Sequence, residues 1–200
     1  MVQAINAAMR RVTPLAVYLA GLLPFLWLVW LVVHGDLGAD PVKRVEHQLG
    51  EWGLKLIVAV LAVTPLRRFT GVNLIRYRRA IGLLAFAYIT LHLMTWLALD
   101  IQFRWGEIWA DIVKRRYITA GMLGFALMVP LAITSNNRSI RNLGPKTWQK
   151  LHRLTYFAAL AGAIHYIWLV KAWPIEPVIY LILVILLLAT RLIPQNRSRA

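Results

Sequence analysis

WQKLHRLTYFAALAGAIHYIWLVKAW, residues 148–173, places two histidines, His152 and His165, in a stretch otherwise long and apolar enough to cross a membrane. Thirteen residues of helix at about 1.5 Å each separate them by about 20 Å, so in a hydrocarbon slab about 30 Å thick one lies near each face. An ionisable side chain inside a span is costly and points to function, and neutral imidazole is a usual axial ligand of haem iron. The competing reading is a histidine that bonds a neighbouring helix. Two on one span, with a third at matching depth on another, favour ligation.

Composition sets the class. Of 200 residues 60% are hydrophobic and only 16% charged, against about 25% in an average soluble domain, and the mean hydropathy is +0.61. The expectation is an all-α integral membrane protein forming a single transmembrane domain over residues 1–200, with no polar stretch long enough to fold separately in water. The net charge of +15 does not imply nucleic acid, because the basic residues stand in short blocks between apolar runs, where they act as topology signals. With no cysteine the chain holds no disulfide, iron–sulfur cluster or thioether-linked haem, so any haem is non-covalently bound b-type.

Six spans are expected, at about 15–33, 45–66, 80–99, 117–134, 151–171 and 178–193. The leader ending in Arg10 and Arg11 resembles the start of a signal peptide, but the apolar run is too long and no small-residue cleavage site follows, so the first helix reads as retained. Pro24 is a candidate kink, Trp27 and Trp30 approach the outer interface, and Pro65 stands at the inner end of the second span. The loop from Asp100 to Arg116, mixed in charge and carrying Trp105 and Trp109, reads as lying at the interface. Lys171 to Pro177 turns the chain into the last span, an anchor.

Charge orients the bundle. Fifteen of the 23 Lys and Arg fall at the N-terminus, in 67–79, in 135–153 and at the C-terminus, all on one face and with no acid among them; all eight acids lie on or near the other. The basic face is cytoplasmic by the positive-inside rule, which makes both termini cytoplasmic. The third span then runs outward, and His92 stands twelve residues or about 18 Å above its start, level with His165. A bis-imidazole haem between the third and fifth spans uses that match. Thirteen residues at about 100° leave His152 and His165 about 140° apart around a straight helix, so they serve different sites. At the inner level His152 faces Arg78 and Arg79, which cannot ligate iron ordinarily but bind phosphate or propionate. The inner site holds either a second haem or another cofactor.

GLLPFLWLVW (21–30), HGDLGADPVKRVEHQLG (34–50), RRAIGLLAFAYITLHL (78–93), WQKLHRLTYF (148–157) and AIHYIW (163–168), in that order and spacing, resemble the MsrQ (YedZ) family of haem-binding membrane subunits within the ferric-reductase-like transmembrane superfamily. The resemblance covers nearly the whole chain. It implies an inner-membrane protein with b-type haem and FMN that passes electrons from the quinone pool or a cytosolic flavin reductase to MsrP, a periplasmic molybdopterin enzyme repairing methionine sulfoxide. His92, His152 and His165 match its haem-associated histidines. The wider superfamily usually carries a histidine pair on each of two helices, whereas here the third span keeps one, and the chain has no glycine-rich phosphate loop or room for a dinucleotide fold, so reductant comes from outside.

For the flavin, Arg67, Arg68, Arg76, Arg78 and Arg79 are candidate phosphate partners and Trp148 a candidate cover for the ring; the alternative is that these arginines only set topology against lipid headgroups. His34 and His47, at the outer ends of the first two spans, border a quinone site, shuttle a proton or are merely interfacial. The outer loops 34–46 and 100–116 are expected to dock the periplasmic partner. Two other function classes are a transporter relaying protons or metal through the histidines, for which the third to sixth spans lack acids, and a colourless structural subunit.

Overall fold

A computed structural model describes residues 1–170 and 174–194. These form ten α-helices and, among the described residues, no strand. In chain order they are α1 (Val2–Arg11), α2 (Pro14–His34), α3 (Pro41–Thr70), α4 (Arg78–Thr95), α5 (Trp105–Lys114), α6 (Arg116–Ile133), α7 (Asn137–Leu143), α8 (Pro145–Leu151), α9 (Leu154–Leu169) and α10 (Ile175–Ala189). A 3-10 turn, Ile75–Tyr77, leads into α4, and a π turn, Trp96–Asp100, ends it. Helices α2, α3, α4 with its flanking turns, and α6 are each long and apolar enough to cross a membrane; α10 is apolar but shorter.

Local chemistry fixes the ends of α2 and α3. Thr13 accepts from the Ala16 N–H ahead of Pro14, and Asp40 accepts from the Lys43 N–H ahead of Pro41, so each helix starts with a capped turn and a proline where no donor is needed. The Lys43 amide holds the Asp40 carboxyl below the usual carboxylate range. Gly35 and Gly71 end the two helices at φ of 73° and 79°, a left-handed conformation that a side chain disfavours. Most of α2 carries exposed apolar side chains, with Leu28 its one buried residue, as expected of a helix facing lipid.

Pro24 interrupts the hydrogen-bond ladder of α2, and Tyr88 of α4 repairs it. The Tyr88 hydroxyl accepts from the Phe25 N–H at 3.1 Å and donates to the Gly21 carbonyl at 2.7 Å, bridging the two groups an unbroken helix would pair directly. Tyr88 is 3% exposed, so no water replaces it. Tyr88→Phe is therefore expected to cost about 1–3 kcal/mol, the penalty of leaving buried polar groups unpaired. Thermal unfolding in detergent checks this; an unchanged midpoint would show the bridge to be idle.

The interior is built from two close helix pairs, α3 on α4 and α6 on α9, with α10 against α9 and α3. Ile57, Leu61, Ala85, Met128, Ala158, Ala159, Ala163 and Val184 form the central cluster where these meet. Small residues on α9 let α6 approach closely: the Cβ that Gly124 lacks would stand 3.5 Å from that of Ala161.

Several expected boundaries are corrected. The helix of the second expected span does not stop near Pro65: α3 continues through that buried proline to Thr70, carrying Arg67 and Arg68 on its last turn. The fifth, expected over 151–171, is α8, a turn at His152–Arg153 and then the shorter α9. Residues 105–114 and 137–143 are helical, and α10 begins at Ile175, so Pro177 lies in its first turn. The rest of the expected turn, Lys171 to Trp173, lies outside the described residues.

Candidate metal centre

His92 on α4 and His165 on α9 meet across the bundle, their ring centroids 6.0 Å apart and their planes at 76°. Each ring is aimed by its Nδ1. That of His92 donates to the Glu46 carbonyl on α3 at 2.8 Å, and that of His165 to the Tyr117 carbonyl on α6 at 2.7 Å. A carbonyl only accepts, so in the neutral ring the proton stays on Nδ1 and the lone pair on Nε2 is left for a ligand. Each close helix pair thus carries one imidazole and the carbonyl that fixes its tautomer.

Two glycines make room for the rings. A Cβ on Gly121 would stand 2.7 Å from His165 Nδ1, and one on Gly50 3.0 Å from His92 Nδ1. Both histidines line a cavity of about 460 Å³ between α3, α4, α6 and α9, within the range of cofactor sites. Leu54, Ile89 and Phe125 are among its apolar walls, and its charged lining is mixed, Lys43, Arg44 and Arg115 with Glu46, Glu51 and Asp100, beside His47.

An imidazole nitrogen binds a metal at about 2 Å, so two rings on opposite sides of one ion stand about 6 Å apart by centroid. The observed separation matches. No group of three or more His, Cys, Asp or Glu able to hold a metal occurs among the described residues. Two imidazoles without a third protein ligand suit an ion that brings its own equatorial ligands, which is the chemistry of a haem iron.

His152 belongs elsewhere. Its Nε2 lies 3.1 Å from the Thr134 hydroxyl, and its ring stacks on Trp148 at 3.8 Å, while the Trp148 indole donates to the Thr134 carbonyl at 2.9 Å. His152 and Trp148 line a second cavity of about 740 Å³ with Arg76, Arg78, Arg79, Arg153 and Arg191, five guanidiniums and no carboxylate. Arg191 donates to the Leu61 carbonyl at 2.6 Å, and its buried Nε has no partner. Ile57, Met128 and Ala158 line both cavities and so separate them.

The family described as ferric reductase like transmembrane component matches residues 21–163. The protein-methionine-sulfoxide reductase heme-binding subunits MsrQ of Brucella ovis, Brucella canis and Brucella suis are each 50% identical over 183 residues, covering 91% of this chain and 83% of theirs. The chain belongs to the MsrQ family. It is a multi-pass membrane protein of the ferric-reductase-like kind.

Of the residues sequence reasoning picked out in this MsrQ chain, the structure joins His92 with His165, and His152 and Trp148 with Arg76, Arg78 and Arg79. Arg67 and Arg68 line neither cavity. Arg68 instead donates to the carbonyls of Thr190, Ile193 and Pro194, closing the C-terminal end of α10. His34 stacks on Trp30 and bonds its carbonyl, whereas His47 borders the first cavity. Arg153 and Arg191 were missed as cavity residues because Arg153 reads as one more topology charge and Arg191 as the end of an anchor. Gly50 and Gly121 were missed as makers of the histidine site because only their neighbours across the bundle reveal what they accommodate.

Proposed function

We propose that this protein is the electron-transferring membrane subunit of a methionine sulfoxide reductase system, holding one b-type haem between His92 and His165. The observation that carries this reading is the pair of Nδ1–carbonyl bonds, which leaves both facing imidazoles in the form that ligates iron. The haem would supply a one-electron ferric–ferrous couple inside the hydrocarbon. Around it, Gly50 and Gly121 would admit the rings, the apolar part of the lining would exclude water, and Lys43, Arg44 and Arg115 in the lining would pair with the carboxylate arms of the macrocycle.

In this reading the chain crosses the bacterial inner membrane six times, with α9 and α10 as the two short crossings and both termini cytoplasmic. The arginine-lined cavity then opens on the cytoplasmic side. It suits a planar cofactor bearing a phosphate, FMN, rather than a second haem, because Thr134 and Trp148 already engage His152. Electrons enter from the quinone pool or a cytosolic flavin reductase and leave for MsrP, a periplasmic molybdopterin enzyme, which docks on the outer loops.

The absorption spectrum of detergent-purified protein, oxidised and then dithionite-reduced, tests the reading. A Soret band, a sharp α band on reduction and about one extracted haem b per chain are expected, with FMN in the same extract. A colourless protein after haem-replete expression would sink it.

A further inference from the structure

Helix α1 is strapped to the loop that leads into α4. Val2, Asn6 and Met9, spaced to share one side of the helix, are half-buried and form its inner face. Val2 lies so close to Gly71 that a Cβ there would come within 3.3 Å of it. The Asn6 side chain donates to the Gly71 carbonyl at 3.0 Å and accepts from the Asn73 N–H at 2.9 Å. The hydroxyl of Tyr77, a residue 4% exposed, lies against the Met9 and Val12 carbonyls, and Arg76 donates to the Arg10 carbonyl at 2.7 Å. Tyr77 and Arg76 thereby cap the end of α1. Arg76 lines the arginine-rich cavity and Arg78 and Arg79 follow it closely in the chain, so whatever places α1 places this edge of the cavity.

The outer face of α1 has a different neighbour. Ile5, Ala8 and Val12 are exposed there, and the chain then runs directly into Leu15, Leu19 and Leu22, exposed apolar residues of the membrane-crossing α2. The stripe therefore stands at the end of a crossing helix, continuous with a surface that faces lipid. Arg10 and Arg11, both exposed, close the helix, and the sequence holds no acid before Asp36 to offset them. An amphipathic helix with an apolar stripe and an uncompensated basic end fits the headgroup layer of anionic phospholipid, and in the proposed orientation that layer is the cytoplasmic one.

We propose that α1 is a membrane-surface strap: anionic phospholipid holds its outer face through Arg10, Arg11 and the Ile5, Ala8 and Val12 stripe, while its inner face holds Arg76 at the edge of the arginine-rich cavity. This rests on the flavin reading above for the identity of the cofactor. Asn6 and Tyr77 are positioning residues, which act on the cavity through the loop that carries Arg76. The consequence is a phosphate-bearing cofactor that binds more tightly when the surrounding lipid is anionic.

The full-length chain has no cysteine, so Ala8→Cys carries a single nitroxide label on the outer face of α1. In nanodiscs of equal parts phosphatidylcholine and phosphatidylglycerol the label is expected to be reached by oxygen and shielded from a water-soluble nickel chelate. FMN is expected to bind there about fivefold more tightly than in discs of phosphatidylcholine alone, the worth of one arginine at a charged surface. Arg10→Gln/Arg11→Gln, which leaves the Arg10 carbonyl to Arg76, should erase that dependence on lipid, and Asn6→Ala should loosen the label and weaken FMN binding in both discs. Haem content and the dithionite-reduced spectrum stay unchanged in each variant as the sign of a folded protein. A label in water, or FMN affinities indifferent to lipid and to the variants, would overturn the proposal while leaving the flavin reading standing. Wild-type protein that binds no FMN in either disc would remove the flavin reading, and the label alone would then decide the strap, in lipid for it and in water against it.

Discussion

His92→Ala and His165→Ala are each expected to purify with less than about a tenth of the wild-type haem, since every 1.4 kcal/mol of lost ligation costs tenfold in occupancy. Each removes one of the two imidazoles that face each other at 6.0 Å, together with the hydrogen bond that ties its helix to the Glu46 or Tyr117 carbonyl. Haem counted per chain as the pyridine complex gives the result, and added imidazole should restore part of the Soret band because the variants leave a ring-sized gap. His152→Ala, which alters the other cavity, should keep the band in place. Full haem content with an unchanged spectrum in both variants would refute the ligand assignment.

Gly121→Ala should do nearly as much harm without touching a ligand. Its new methyl group would fall 2.7 Å from His165 Nδ1, inside any real carbon contact, and the ring cannot retreat without breaking its 2.7 Å bond to Tyr117. Overpacking of this kind costs about 1–3 kcal/mol, enough to lower haem occupancy about five- to hundredfold, and the strain should also move the α band of whatever haem remains. Gly82→Ala is the control, since its methyl would meet only Val60 at an ordinary 3.9 Å. Equal haem content in the two variants would show that His165 has slack.

The pairing of His92 with His165 was legible because a helix rises by a fixed amount per residue, so counting from the span ends gave both the same depth. The separation of His152 was legible in its 140° offset, though not its cause, the turn at His152–Arg153 that splits α8 from α9. Helix ends near proline were not: Pro65 marks a boundary by local preference, yet tertiary packing carries α3 on to Thr70 and takes Arg68 to the end of α10.

Ile57, Met128 and Ala158, common to both cavities, put apolar side chains between them. On the proposed reading such a septum would let electrons tunnel between the two cofactors while barring hydrated ions, so that the bilayer stays insulated. Moving one charge through the whole field is worth about 2.3 kcal/mol per 100 mV. In the proposed orientation, with the basic face on the negative side, an electron crossing outward would run down that field, and the membrane potential itself would help to pull reducing power to the other side.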